Sequence, residues 1–410
     1  MKNLLLNEKY EKNRSLFHKA DGIKIHIGKK KLIDLSLNSG VLFFGHQRKL
    51  YNKIFKKFIK NKLSLSSHPN IYAQKLASKV KLFFPYFEKI VFCNSGTESV
   101  IRALRIVKSL SKKKIIISVS GSWHGTFDQT LFNSDKNLSP IPLSSGIDEY
   151  FKKQIKFIPY NDISKSKKIL DRNKNKINSI IIEPVMGSLP EEENKKYLKF
   201  LEKYCKKNNI FLIFDEIITG FRTKDGSIQN KYLIRPDITL IGKILGGGLP
   251  IGALGLSKNI LKKYNKLKKP VVFGGTFSAN PFSCYSGYLT LTEIKKQKKS
   301  INKIINLSKI FQTKINNYIK INNIDAKVYR FESILRVVFT KEKVKNRPQR
   351  DFLEKKNIKN LNNFKKFLNL QNIYYPPNGI IFISTLFKIK DLNFVIQKIC
   401  IGLKKYFKNT

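Results

Sequence analysis

The sequence predicts an α/β fold: a mostly parallel sheet with helices on both faces, plus a smaller α+β domain built from both chain ends. Three observations lead there. Short runs through the middle of the chain are wholly apolar rather than alternating, which suits strands buried on both faces of a parallel sheet. Stretches with helical spacing separate these runs, as βαβ units require. The two flanks instead mix short strand-like pieces, turn glycines and helices.

Residues 1–49 hold strand-like pieces around IKIHIG and KLIDLS, with Gly22 and Gly28 as turn signals. The apolar runs follow at Lys89–Cys93 (KIVFC), Lys114–Val119 (KIIISV), Ser179–Glu183 (SIIIE), Ile210–Asp215 (IFLIFD) and Asp237–Ile241 (DITLI). Between them, Thr97–Leu110 and Glu192–Asn208 have helical spacing. A large domain is therefore expected over residues 50–295. Residues 296–410 carry a helix, strands near AKVYRFESILRVVFT and GIIFIST, and a last helix from about Asp391. They are expected to join residues 1–49 in the smaller domain.

Composition narrows the function classes. The chain has 410 residues, 41% of them apolar, enough for two domains with cores of their own. No apolar run reaches the roughly 18–20 residues of a membrane helix. The segment MKNLLLNEKYEKNRS lacks the apolar stretch of a signal peptide. Cys93, Cys205, Cys284 and Cys400 are far apart and read as free thiols. A cytoplasmic location is expected. The net charge of +52 comes from lysines spread end to end, with no tighter runs than Lys29–Lys31 and Lys112–Lys114. Nucleic-acid binding would call for clustered charge and a recognisable module, so a codon bias toward Lys, Asn and Ile accounts for the composition. The charge can still steer anionic ligands toward a cleft.

Ligands of an open parallel sheet bind beyond the C-terminal ends of its strands, and four notable groups fall there. Asn94-Ser95-Gly96-Thr97 follows KIVFC, and Ser120-Gly121-Ser122-Trp123-His124-Gly125 follows KIIISV. Asp215-Glu216 ends IFLIFD, and Gly242-Lys243 ends DITLI. Ser95, Gly96 and Thr97 have the form of a phosphate cradle at a helix start, or of an ordinary N-cap. Asp215 suits a helix cap, a metal ligand or the partner of a buried cation. Asp215-Glu216 would also suit an ATPase strand, but no GxxxxGK[ST] loop accompanies it. Lys243 is either a solvated lysine or a buried amine able to attack aldehydes; the run Gly246-Gly247-Gly248 behind it admits close backbone approach. Trp123, the only tryptophan, can stack on a flat heterocycle or fill the core. His124 beside it is a candidate ligand contact or a structural residue.

Together these segments resemble the class III aminotransferases among fold-type-I pyridoxal-phosphate enzymes. The phrases that carry the resemblance are FCNSGTESVIRALRIV at 92–107, GSWHGTFD at 121–128, IIIEPVMGS at 180–188 and IFDEIITGFR at 213–222. PDITLIGKILGGGLPIGALG at 236–255, GGTFSANPFSCYSG at 274–287 and YPPNGIIFIST at 375–385 complete them. The sequence is most similar to the glutamate-1-semialdehyde aminomutase subgroup. The resemblance implies a seven-stranded sheet, pyridoxal 5'-phosphate as cofactor, and a homodimer that shares its sites. By position, it implies that Lys243 holds the cofactor as a Schiff base and shuttles a proton, and that Asp215 pairs with the ring nitrogen. Ser95, Gly96 and Thr97 would bind the phosphate. Trp123 and Ile217 would pack on the two ring faces, with His124 beside them and Glu183 near the ring oxygen. Thr276 would reach the phosphate of the neighbouring subunit.

Two departures concern the substrate. Aminomutases have an arginine-containing N-terminal stretch that binds the substrate carboxylate; here Arg14 is the only early arginine. They also carry a glutamate-bearing insertion after Pro-Pro, whereas here Pro376-Pro377-Asn378-Gly379 runs directly into a strand-like segment. An aminomutase and a two-substrate aminotransferase for a keto acid, aldehyde or sugar-pathway ketone both remain open. A basic nucleic-acid-binding protein on a retired scaffold is the alternative of another class; the presence of Lys243, Asp215 and the phosphate loop argues against it.

Overall fold

The computed structural model describes residues 17–46, 48–60, 62, 68–191 and 194–408. Arg14 lies outside them. The centre is a seven-stranded sheet, whose strands in chain order are β1 (Lys89–Cys93), β2 (Ile115–Val119), β3 (Ile155–Ile158), β4 (Ile177–Ile182), β5 (Phe211–Asp215), β6 (Ile238–Ile241) and β7 (Gly252–Leu256). Their spatial order is β1-β7-β6-β5-β4-β2-β3. The strands from β3 to β6 across the sheet are parallel, and β7 runs antiparallel to both β6 and β1.

All five apolar runs of the sequence become strands. Lys114, Glu183, Ile210 and Asp237 fall just outside the ends. β2, β4, β5 and β6 are buried at every position, the reason their sequences do not alternate. Neighbouring residues serve opposite faces. Ile116 and Ile213 pack with Val100, Ala103 and Leu104 of the helix Gly96–Ser109. Ile117 and Leu212 pack with Leu198 and Leu201 of the helix Lys195–Lys207. β3 and β7 were not among the strands read from the sequence. β7 is GALGL, poor strand composition, yet its glycines are required. A Cβ on Gly255 would sit 2.1 Å from the Phe87 ring, and one on Gly252 would sit 2.2 Å from the Ser95 carbonyl oxygen.

The chain ends come together in smaller sheets. Phe17–Asp21, Lys24–Ile27 and Lys30–Asp34 form an antiparallel meander that Ile373–Tyr374 extends in parallel. Gly22 and Gly28 turn it with φ of 62° and 55°. Lys327–Phe331, Ile334–Val338 and Ile380–Phe382 form a second antiparallel sheet. One core holds Ile23, Ile33 and Leu35 from the N-terminal side together with Phe311, Val328, Ile373 and Leu403. Arg222, in the segment after β5, ties this layer to the large sheet. Its guanidinium donates to the Gly40 carbonyl and lies 4.6 Å from the centre of the Phe382 ring. The four cysteines are buried and unpaired. Among the described residues no helix is long and apolar enough to cross a membrane.

Candidate active site

The sheet order creates a crevice. After β2 the chain goes outward to β3, then returns to the other side of β2 to form β4. The connections leaving β2 and β4 therefore diverge, and such a switch point is where open α/β sheets bind ligands. The residues beyond β1, β2, β4, β5 and β6 all lie on this one edge.

Asp215 is the last residue of β5 and is buried. Its Oδ2 lies 2.8 Å from His124 Nδ1, and its Oδ1 accepts from the Ile217 N–H at 3.2 Å. His124, also buried, lies beyond β2; its Nε2 has no partner among the described residues. Glu183, one residue past β4, joins two loops. Its carboxylate accepts from the Trp123 N–H at 2.9 Å and the Gly187 N–H at 3.1 Å. Burial raises the carboxyl above its ordinary range, and the charge of Asp215 adds to this; His124 and the two N–H donors oppose it. The Trp123 side chain is about half exposed, at 47%.

The loop after β1 has both characters the sequence allowed. Ser95 is an N-cap, its hydroxyl accepting from the Glu98 N–H at 3.1 Å. The same helix start presents N–H groups without intrahelical partners, an anion site in principle. Thr97 Oγ1 accepts from the Thr126 N–H at 3.3 Å, and a Cβ on Gly125 would lie 2.3 Å from that oxygen. The loops after β1 and β2 are thus fitted to one another. A Cβ on Gly96 would meet Ile217 Cδ1 at 2.7 Å, so Ile217 occupies the space beside the cradle.

Lys243, two residues past β6, opens a single turn of 3₁₀ helix and is half-buried. Its φ is 47°, in the left-handed region, which costs an L-residue about 1–2 kcal/mol. Backbone strain of this kind gathers at functional sites. Gly247 ends the turn at φ 58°, where a Cβ would lie 2.0 Å from Thr290 Oγ1.

Thr276 stands apart, exposed in the segment before the helix Pro281–Lys296. That segment is tethered by Arg102, whose Nη2 donates to the Gly274 carbonyl at 2.7 Å and to Ser278 Oγ at 2.9 Å. Val272 and Phe277 beside it are 71% and 67% exposed.

Three sets of contacts around the site are not legible in the sequence. His124 was named, but not its bond to Asp215, which spans 91 positions. Glu216 is a structural clamp: it is fully buried and accepts from the Ile228 and Gln229 N–H groups and the Thr219 hydroxyl. Burial pushes its carboxyl up to about 7 against those donors. Arg347 touches the Gly121 loop from a helix far along the chain; only spatial proximity links them.

The class III aminotransferase family model matches residues 7–358. The chain belongs to the class III aminotransferase family. It is 32% identical over 401 residues to the glutamate-1-semialdehyde 2,1-aminomutase of Methanosphaera stadtmanae, covering 95% of this chain and 91% of that one. To the protein of the same name from Wigglesworthia glossinidia brevipalpis it is 34% identical over 383 residues, covering 91% and 84%. In fold it is similar to an omega-transaminase from Sphaerobacter thermophilus, with a TM-score of 0.86 at 20% identity, covering 94% and 90%. It is also similar to a glutamate-1-semialdehyde-aminomutase from Pseudomonas aeruginosa, with a TM-score of 0.82 at 16% identity, covering 95% and 88%.

Class III aminotransferases are pyridoxal-phosphate enzymes. This chain's residues fit that cofactor. The Gly96 cradle leaves no room for a Cβ, Asp215 is an acid aligned by two partners, and an amine is held in a strained turn on the same edge.

Proposed function

We propose that this class III aminotransferase holds pyridoxal 5'-phosphate through Lys243 and transfers amino groups in the manner of a glutamate-1-semialdehyde 2,1-aminomutase. The observation that carries this reading is the meeting of Lys243, the Asp215–His124 pair and the Gly96 cradle on one sheet edge. Relatives named as that aminomutase, aligned over nearly the full chain, support it.

When bound, the cofactor supplies an aldehyde that exchanges amino groups and a ring that draws electrons from the reacting carbon. The protein does the rest. Lys243 would hold the cofactor through its Nζ and, as the free amine, would take up and return the proton at the reacting carbon. Asp215 keeps the proton on the ring nitrogen, and His124 fixes the carboxylate that does so. Ser95, Gly96 and Thr97 receive the phosphate. Trp123 and Ile217 would pack against the cofactor ring, and Glu183 would lie near its ring oxygen. Thr276 of the partner subunit completes the phosphate site. The exposed Val272 and Phe277 beside Thr276 suit burial in such a homodimer. The free cysteines fit a cytoplasmic protein.

A second reading, a two-substrate aminotransferase, is favoured by one observation. Gly379 follows Pro376 in a tight turn, its N–H bonded to the Pro376 carbonyl at 2.9 Å, leaving no acidic insertion there. Steady-state kinetics separate the two. An aminomutase turns over glutamate-1-semialdehyde alone; an aminotransferase needs a separate donor and gives ping-pong kinetics. Purified protein that stays colourless after incubation with pyridoxal phosphate, and forms no reducible adduct at Lys243, would overturn both. Sedimentation of a single subunit would overturn the shared site.

A further inference from the structure

We infer that Arg347 is the cation that binds the carboxylate of the substrate, reaching the site from the helix Arg347–Lys356. The inference rests on the amino-transfer site proposed above and names its substrate class: amino or keto compounds that bear a carboxylate.

Three observations carry it. The first is position. Arg347 Nη1 donates to the Gly121 carbonyl at 3.3 Å, and a Cβ on Gly121 would lie 2.6 Å from Arg347 Cβ. Gly121 has φ 91°, a conformation that favours glycine, and its contact with this helix leaves no room for a side chain between them. Trp123 and His124, the site residues of that loop, follow two and three positions later. Arg347 therefore stands against the segment that lines the crevice.

The second is charge. Arg336, Arg347 and Arg350 form one cluster with two acids, Asp351 and Glu354. Arg350 pairs with both acids and donates to the Ser188 carbonyl. Arg336 pairs with Glu354 and donates to the Asn378 carbonyl. Three guanidiniums face two carboxylates, which leaves one positive charge. The excess falls at Arg347, whose hold on Asp351 is 3.3 Å while Arg350 meets the same carboxylate more closely.

The third is access. The Arg336 and Arg350 side chains are 9% and 4% exposed, and that of Arg347 is 22% exposed. Its two bonds are both 3.3 Å, and its Nη2 has no partner among the described residues. A guanidinium with a free edge is shaped for a carboxylate. The same helix also reaches the other wall of the site, since Arg350 binds Ser188 beside Gly187, the residue that donates to Glu183. It thus joins both loops that Glu183 bridges.

The test is calorimetric titration of the cofactor-loaded enzyme with glutarate and with its neutral diamide, glutaramide. Wild type should bind glutarate more tightly than glutaramide. R347Q should weaken glutarate roughly 10- to 100-fold, as expected for losing a charged hydrogen-bonded contact, and leave glutaramide unchanged. R347K, which keeps the charge but not the fork, should fall between them and decides the matter if R347Q does not fold. K345Q removes an exposed charge two residues away and should change neither ligand. Equal binding of the two ligands by wild type, or full glutarate affinity in R347Q, overturns the inference. If glutarate binding depends on Arg347 but no donor converts the bound cofactor to its amine form, the amino-transfer reading fails while the carboxylate site stands.

Discussion

His124 Nδ1 stands 2.8 Å from Asp215 Oδ2, with both side chains buried at the sheet edge. The pair joins the end of β5 to the loop beyond β2 and fixes the direction of the Asp215 carboxylate. Removing a buried hydrogen bond to a charged group costs about 1.5–3 kcal/mol. H124A should therefore lower kcat/KM roughly 10- to 100-fold and alter the visible spectrum of the bound cofactor. H124N, whose amide can donate from nearly the Nδ1 position, should recover part of the loss. Stopped-flow measurement of the first half-reaction checks both, and a full-rate H124A would remove His124 from the mechanism.

Lys243 combines the amine proposed to hold the cofactor with an unfavourable backbone, at φ 47°. K243A and K243G should both abolish borohydride-trapped cofactor and cut turnover by at least roughly 10⁴-fold. They should differ in stability. Glycine tolerates the φ of 47° that alanine does not, so K243G should be more stable than K243A by about 1 kcal/mol in denaturant unfolding. Equal stabilities would show that the turn relaxes when the lysine is lost.

Gly96 and Ile217 are coupled by space. The Cβ introduced by G96A would lie 2.7 Å from Ile217 Cδ1, with the other two Ile217 contacts at 3.5 and 3.6 Å. Overpacking of this kind costs about 1–3 kcal/mol. G96A should weaken cofactor affinity and lower stability together. I217V removes Cδ1 alone, so the double variant should regain much of both. A double-mutant cycle with equilibrium dialysis of the cofactor measures the coupling, and simple additivity would refute it.

Glu216 sets a pH dependence of folding. Its carboxyl titrates at about 7 in the folded chain, against an ordinary 4.5, because burial outweighs three hydrogen-bond donors. Between those values the folded state holds a proton that the unfolded state has released. The contribution is complete below pH about 4.5 and is lost as pH rises to about 7, on the order of 3 kcal/mol in all. Glu183, also raised, adds a slope of the same sign. In urea unfolding from pH 5 to 8, E216Q should flatten the fall in stability relative to wild type. An unchanged slope would assign it to other groups.

Much of this molecule is legible in its sequence, for physical reasons that also mark where reading stops. β1, β2, β4, β5 and β6 are visible because burial on both faces demands unbroken apolar runs. β3 is a four-residue edge strand, IKFI, with a lysine in it. In β7 glycine replaces the expected β-branched residues because Phe87 and the Ser95 carbonyl press against it. Lys243, Asp215 and the Gly96 loop stand out because each lies at or just beyond the C-terminal end of an apolar run, where open α/β sheets bind ligands. The His124–Asp215 bond, the Arg102 tether and the approach of Arg347 to Gly121 join segments 91, 172 and 226 residues apart. Contacts at those separations follow from packing of the whole chain, which no local pattern records.

The antiparallel position of β7 bears on how the protein is made. β1 lies at one edge of the sheet, and its only neighbour among the described residues is β7, about 160 residues later in the chain. As the polypeptide emerges from the ribosome, the β1 strand and the Ser95–Thr97 loop it carries have no sheet to join until residue 256 is free. Long-range pairing of this kind is slow and leaves strand edges open to wrong partners. The Ser95–Thr97 loop is among the first segments of the candidate site to be synthesised and the last to be seated. Nascent chains stalled before β7 should therefore be the aggregation-prone species, and those released just after it the first able to retain the cofactor.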